Sequence, residues 1–229
     1  MKILMILLSL FLVSAAAFAQ PFSIGVKGGI PVTDALNAQS GFFPGMPLGN
    51  TSTSPGQISY NSNTKRYLLG PTAELHLPLG FSFEVDALYR RLDYQSSFSA
   101  VDSLIAARTT ANSWQFPLLL KWALPLGPIR PFVDAGPSVE WVSGVRQVRQ
   151  VTVFPSTVTI TTTSNPAELK NQTTVGFTTG GGLEFKMGPV RIAPEVRYTR
   201  WNSDIFHSTV RDLLSTNLNQ ADFLVGFTF

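Results

Sequence analysis

Residues 114–122 read WQFPLLLKW, which sets Trp114, Phe116, Leu118, Leu120 and Trp122 against Gln115, Pro117, Leu119 and Lys121. A β-strand throws successive side chains to opposite faces, so this period of two predicts a strand with one apolar side and one polar side. The same pattern returns on either side of it. Upstream, Phe22, Ile24, Val26 and Ile30 oppose Ser23, Gly25, Lys27 and Gly29. Tyr67, Leu69, Ala73, Leu75 and Leu77 oppose Gly70, Thr72, Glu74 and His76, and Phe81, Phe83, Val85, Ala87 and Tyr89 oppose Ser82, Glu84, Asp86 and Arg90. Downstream, the apolar sets are Pro131, Val133, Ala135, Val139 and Trp141, then Val175, Phe177, Leu183 and Phe185, then Val190, Ile192, Val196 and Tyr198, and last Ala221, Phe223, Val225, Phe227 and Phe229. These are about eight strands of roughly ten residues, the length that crosses a bilayer when tilted.

The connections sort by length. Pro78-Leu79-Gly80, residues 125–128 and Met187-Gly188-Pro189 read as tight turns, whereas 31–65, 95–112, 142–172 and 202–217 read as long polar loops. Short turns at one rim and long loops at the other are the mark of an outer-membrane barrel, the long loops facing outside. The expected fold is therefore all-β: a closed antiparallel up-and-down transmembrane barrel of about eight strands. Within 142–172, the valines flanking Phe154-Pro155-Ser156 suggest two further extended segments. They read as a hairpin rising above the membrane, with a ten-stranded barrel as the alternative.

In a membrane barrel the apolar faces turn to lipid and the polar faces inward. Tyr67, Trp114, Trp122, Trp141 and Tyr198 then fall near strand ends, where amphipathic rings favour the headgroup level. Glu84, Asp86, Arg90, Lys121, Arg130, Asp134, Glu184, Arg197 and Asp222 fall inside, as a near-balanced charge network that plugs a narrow lumen. Composition agrees with a lipid setting: only 14% of residues are charged, and there are 17 Phe. A net charge of +3 without a basic run argues against nucleic acid, and the absence of Cys excludes disulfides and thiolate metal sites.

Residues 1–19 read as a signal peptide: Lys2, an apolar run from Ile3 to Val13, and the small residues Ala17 and Ala19 around Phe18 at the cleavage site. The mature domain is then 20–229.

The tail ADFLVGFTF (221–229) resembles the C-terminal signal that outer-membrane barrels present to the barrel-assembly machinery, carried by Phe223, Val225, Phe227 and Phe229. WQFPLLLKW (114–122), RPFVDAGPS (130–138), GFTTGGGLEF (176–185) and PEVRYTRW (194–201) resemble, in that order, the OmpA-like outer membrane protein beta-barrel families. The resemblance covers most of 20–229 outside the long loops and implies an eight-stranded barrel in the bacterial outer membrane. Its partners would be membrane lipid and, during insertion, the assembly machinery, with the protein a monomer and any extracellular partner unidentified.

Candidate chemistry is sparse. His76 reads as a hydrogen-bonded lumen residue. Asp204, His207 and Ser208 include the residue types of a hydrolytic triad, but His207 and Ser208 are adjacent and in a loop, unlike the His-x-Ser pattern of barrel deacylases. No catalytic, cofactor or metal site is expected. The reading is a structural or surface-interaction barrel. A narrow pore for small solutes or ions is one alternative; a soluble periplasmic lipocalin-like carrier, which would need its apolar faces inward, is another.

Overall fold

The computed structural model describes residues 22–229 other than 44–46, 49, 50, 53–55, 101, 102, 125, 126, 154–156 and 209. The leader assigned to 1–19 lies outside the described residues. Eight strands form a closed antiparallel ring: β1 (Phe22–Pro31), β2 (Leu68–His76), β3 (Phe81–Asp86, resumed as Leu88–Ala100), β4 (Ser103–Ala123), β5 (Ile129–Val153), β6 (Thr173–Met187), β7 (Val190–Trp201) and β8 (Asn219–Thr228). Each pairs with its sequence neighbour, and β8 closes on β1 from Gly25↔Thr228 to Pro31↔Asp222. No strand edge is left within the membrane, as a bilayer requires. β3 is interrupted at Ala87 opposite Pro71, which has no N–H for the ladder; there the Ala87 amide still donates to the Pro71 carbonyl at 3.0 Å.

Alternation fixes which face meets lipid. Phe116, Leu118, Val133 and Phe227 point outward, between 38% and 57% exposed, while Glu84, Asp86, Lys121 and Asp134 are buried inside. That orientation excludes the soluble carrier, whose apolar faces would line the interior.

The long connections differ from expectation. Residues 95–112 are not a loop: β3 and β4 run on as a hairpin in register from Gln115↔Leu88 to Leu104↔Ser99. β5 likewise extends to Val153 and pairs with Thr157–Thr163, which adds no membrane strand and forms the outer hairpin expected for 142–172. Gly56–Ser62 pairs with β3, and Ser40–Phe43 pairs with Gly56–Ser62. A six-stranded blade thus stands on the β3–β5 wall. Above the bilayer both faces of a strand can be polar, so the alternation that betrays a membrane strand disappears, and such sequence reads as loop.

One glycine sets how the blade joins the barrel. Asn112 pairs with Ser143 but Thr110 pairs with Arg146, so β5 carries one extra residue, at a bulge where Gly144 has φ of 59°. Glycine adopts that left-handed conformation without steric cost. The extra residue reverses the inward parity, from Glu140 and Val142 below to Val145 and Gln147 above.

Candidate functional site: the lumen and its outer cap

Even-numbered residues of β2, β3, β6, β8 and of β5 below its bulge, and odd-numbered residues of β1, β4 and β7, point inward, and these bring the charges together. Lys27 Nζ lies 2.5 Å from Glu84 Oε1, 3.0 Å from Glu195 Oε1 and 3.5 Å from Asp86 Oδ2. Arg197 grips the same three acids, at 2.5 Å to Asp86, at 2.8 Å to Glu195, and also at Glu84. Below them Lys121 sits 3.4 Å from both Glu74 and Glu184, with its ammonium 4.2 Å from the centroid of the Phe132 ring. Ser82 donates to Glu74 at 2.5 Å. Nearer the outer end, Arg90 meets Glu140 at 3.3 Å and Gln220 at 3.2 Å, and Ser113 donates to Glu140 at 2.5 Å.

The interior is not balanced in charge. Glu74, Glu84, Asp86, Asp134, Glu140, Glu184, Glu195 and Asp222 are buried against the four buried cations Lys27, Arg90, Lys121 and Arg197. Arg130, expected inside, stands at the short-turn rim with its side chain 32% exposed, 3.9 Å from Glu184. Asp134 and Asp222 lie inside but have no ion pair within 4 Å among the described residues. Lys27, Glu74, Glu140 and Glu195 also belong to the network; the alternation puts them on the polar faces, but they are not among the lumen charges expected from the sequence.

A glycine run makes room for these long side chains. On β6, a Cβ at Gly180 would stand 2.7 Å from Asp134 Oδ1 and 3.0 Å from Arg197 Cγ. Side chains there would displace the acids and the guanidinium from one another.

The greater surprise is above the charges. Leu36, Tyr60, Leu92, Tyr94, Val142, Val145, Ile205, Phe206 and Leu214 form a buried apolar cluster, with Phe206 and Leu214 fully buried. It is assembled from the inward face of the blade and from segments 33–39 and 202–217, which are joined by the pairing of Leu36–Ala38 with Leu214–Thr216. Asp204 fixes the last segment: its Oδ1 accepts from the Phe206 and Thr216 amides and from the Thr216 hydroxyl, at 2.9–3.0 Å. It is therefore committed to holding the loop, while His207 and Ser208 point to solvent. Tyr94 donates to Glu168 at 3.1 Å; burial and then the Glu168 charge hold its phenol well above the ordinary range.

His76 lies at the lower rim, where its Nε2 accepts from Arg191. The aromatics stand in two bands on the outer surface. Trp114 is in register with Tyr89 and Trp141, its ring 5.1 Å from that of Tyr89, which in turn is 6.3 Å from Tyr67; Tyr198 is exposed at the same end of β7. At the opposite end Trp122 packs 6.4 Å from Phe81. Phe42, in the apolar stretch 41–47, is 74% exposed at the blade edge and does not fold over the barrel mouth.

A closed barrel with apolar strands outside, girdles at both ends and ions inside defines an integral protein of the bacterial outer membrane. The chain belongs to the family described as outer membrane protein beta-barrel domain, whose model matches residues 18–202. Three solved structures are similar. Neisserial surface protein A aligns over 93% of this chain and 98% of its own, at 10% identity and a TM-score of 0.41. The outer membrane protein OprG from Pseudomonas aeruginosa aligns over 90% and 93%, at 14% and 0.46. Ail, the attachment invasion locus protein of Yersinia pestis, aligns over 92% and 100%, at 10% and 0.33. No curated protein matches the chain.

Proposed function

We propose that this barrel is a closed scaffold which anchors a surface blade, rather than a general pore. The observation that carries the reading is double closure. Ion-paired side chains occupy the membrane-level lumen, and the apolar cluster around Phe206 and Leu214 lies across its outer end. An eight-stranded barrel is just wide enough for side chains to fill, so nothing further is needed to block it. Loops and hairpins on such a rigid base are where recognition resides. The chain reaches its place through a leader cleaved after Ala19, and the assembly machinery reads Phe223, Val225, Phe227 and Phe229 on the closing strand. Folded protein in planar bilayers should give no sustained conductance. Steady openings on the nanosiemens scale would overturn the closed reading in favour of a narrow pore, which the eight buried carboxylates would make cation-selective.

A further inference from the structure

Just above the upper aromatic band, the outward face of the β3–β5 wall turns basic. Arg91 lies two residues beyond Tyr89 and is exposed, while its neighbour Arg90 is buried inside. It shares a row with Asn112 and Ser143. One row higher, Arg146 stands opposite Thr110, outward and exposed between the buried Val145 and Gln147. Lys65, also exposed, is beside them, its amide donating to the Arg91 carbonyl at 3.1 Å. The nearby acid on this face, Asp93, is already held by Arg108 in a two-point pair at 2.5 and 3.1 Å. Neither Arg91 nor Arg146 has an ion pair among the described residues.

Two strand spacings and one row, a rise of two residues, separate Arg91 from Arg146, roughly 12 Å, so two extended guanidinium groups can meet over Thr110 and Asn112. Guanidinium is the side chain best shaped to take phosphate oxygens through parallel N–H donors. The height is fixed by the rings beneath, because Tyr89, Trp114 and Trp141 mark the boundary between acyl chains and headgroups. These cations without an ion pair, one row above that boundary for Arg91 and two rows above it for Arg146, face the layer where lipid phosphates lie.

We propose that Arg91 and Arg146, assisted by Lys65, bind the phosphate groups of an outer-leaflet phosphorylated glycolipid and hold it against this side of the barrel. The site is on the outer wall and stands whether or not the lumen conducts.

The test uses the full folded protein in vesicles of phosphatidylcholine mixed with lipopolysaccharide carrying phosphorylated or enzymatically dephosphorylated lipid A. Lipid retained after detergent extraction is counted by native mass spectrometry. Wild type should retain the phosphorylated form several-fold better, with the preference falling as salt rises. Arg91→Gln with Arg146→Gln should abolish the preference, while Arg149→Gln, which removes the same kind of charge from the blade's other face, should keep it. Equal retention of both lipid forms by the wild type, or an equal loss in Arg149→Gln, would overturn the proposal. If the double variant does not reach the folded, heat-modifiable form, the wild-type salt series and the two single variants decide: a salt-independent preference, or singles that match wild type, would overturn it.

Discussion

Lys27 shows what one side chain does in this lumen. Its ammonium touches three carboxylates in a place that water does not reach, with the lysine only 2% exposed. Taking those acids out of water is costly, and attraction to Lys27 and Arg197 offsets that cost only while both cations are present. Lys27→Met should therefore destabilise the barrel by about 3–5 kcal/mol, because Glu84, Asp86 and Glu195 would keep their charges with one partner gone. Urea unfolding in lipid vesicles, followed by tryptophan fluorescence, measures this; a change under one kilocalorie would show that the network is more hydrated than its burial indicates. The last residue works differently. Phe229 is 59% exposed on the lipid side, and it is its amide, through Ile24, that ties it to β1. Its deletion should leave the inserted barrel nearly as stable but reduce the fraction of chains that insert in cells, scored by heat-modifiable mobility. Normal insertion would remove the assembly role given to the tail.

At the scale of elements, the strands outrun the membrane, and the blade they form is separable from the ring. Gln147 pairs with Thr163 at the base of the β5 hairpin, and among the described residues the arm Thr157–Thr163 pairs with no strand but β5. Replacing residues 148–162 by an Asn-Gly turn, which suits a two-residue hairpin, should leave assembly and urea stability intact. If the blade is the recognition element, surface binding should fall. A truncated protein that fails to insert would show instead that the hairpin belongs to the folding core. The bulge at Gly144 is what makes such a blade compatible with the barrel. It lets one continuous strand face charges inward at Glu140 and an apolar cluster inward at Val145.

For the whole molecule, closure rests on two independent layers. Phe206 is fully buried in the cap, so Phe206→Ala should cost about 3–5 kcal/mol of cap packing. It should not open a steady conductance, since the ions around Lys27 and Lys121 still fill the lumen below. Cap loosening is readable as faster amide hydrogen exchange in 202–217, with bilayer recordings made on the same variant. Stable channels in Phe206→Ala would show that the cap alone is the barrier.

Much of this could be read from the chain. Every barrel strand coincides with a stretch where apolar and polar residues alternate, because lipid on one side and a charged lumen on the other force a strict period of two. WQFPLLLKW carried the direction as well, with Trp114 and Trp122 at the two water boundaries and Lys121 pointing in. The upper halves of β3, β4 and β5 were illegible for the opposite reason: water on the outer face imposes no pattern, so Gln95-Ser96-Ser97 looks like a loop. The cap was hidden more deeply, since Leu36, Leu92, Val145 and Phe206 come from segments far apart in sequence that meet only when the ring is closed. Pairing among the charges was equally out of reach. Residue order places Lys27, Glu84 and Arg197 on inward faces, but only the shear and curvature of the closed sheet determine that those three touch while Asp134 and Asp222 remain without an ion pair. The solvent on each side of a strand is written locally along the chain. Which distant side chains share one small interior is a property of the cylinder's geometry alone.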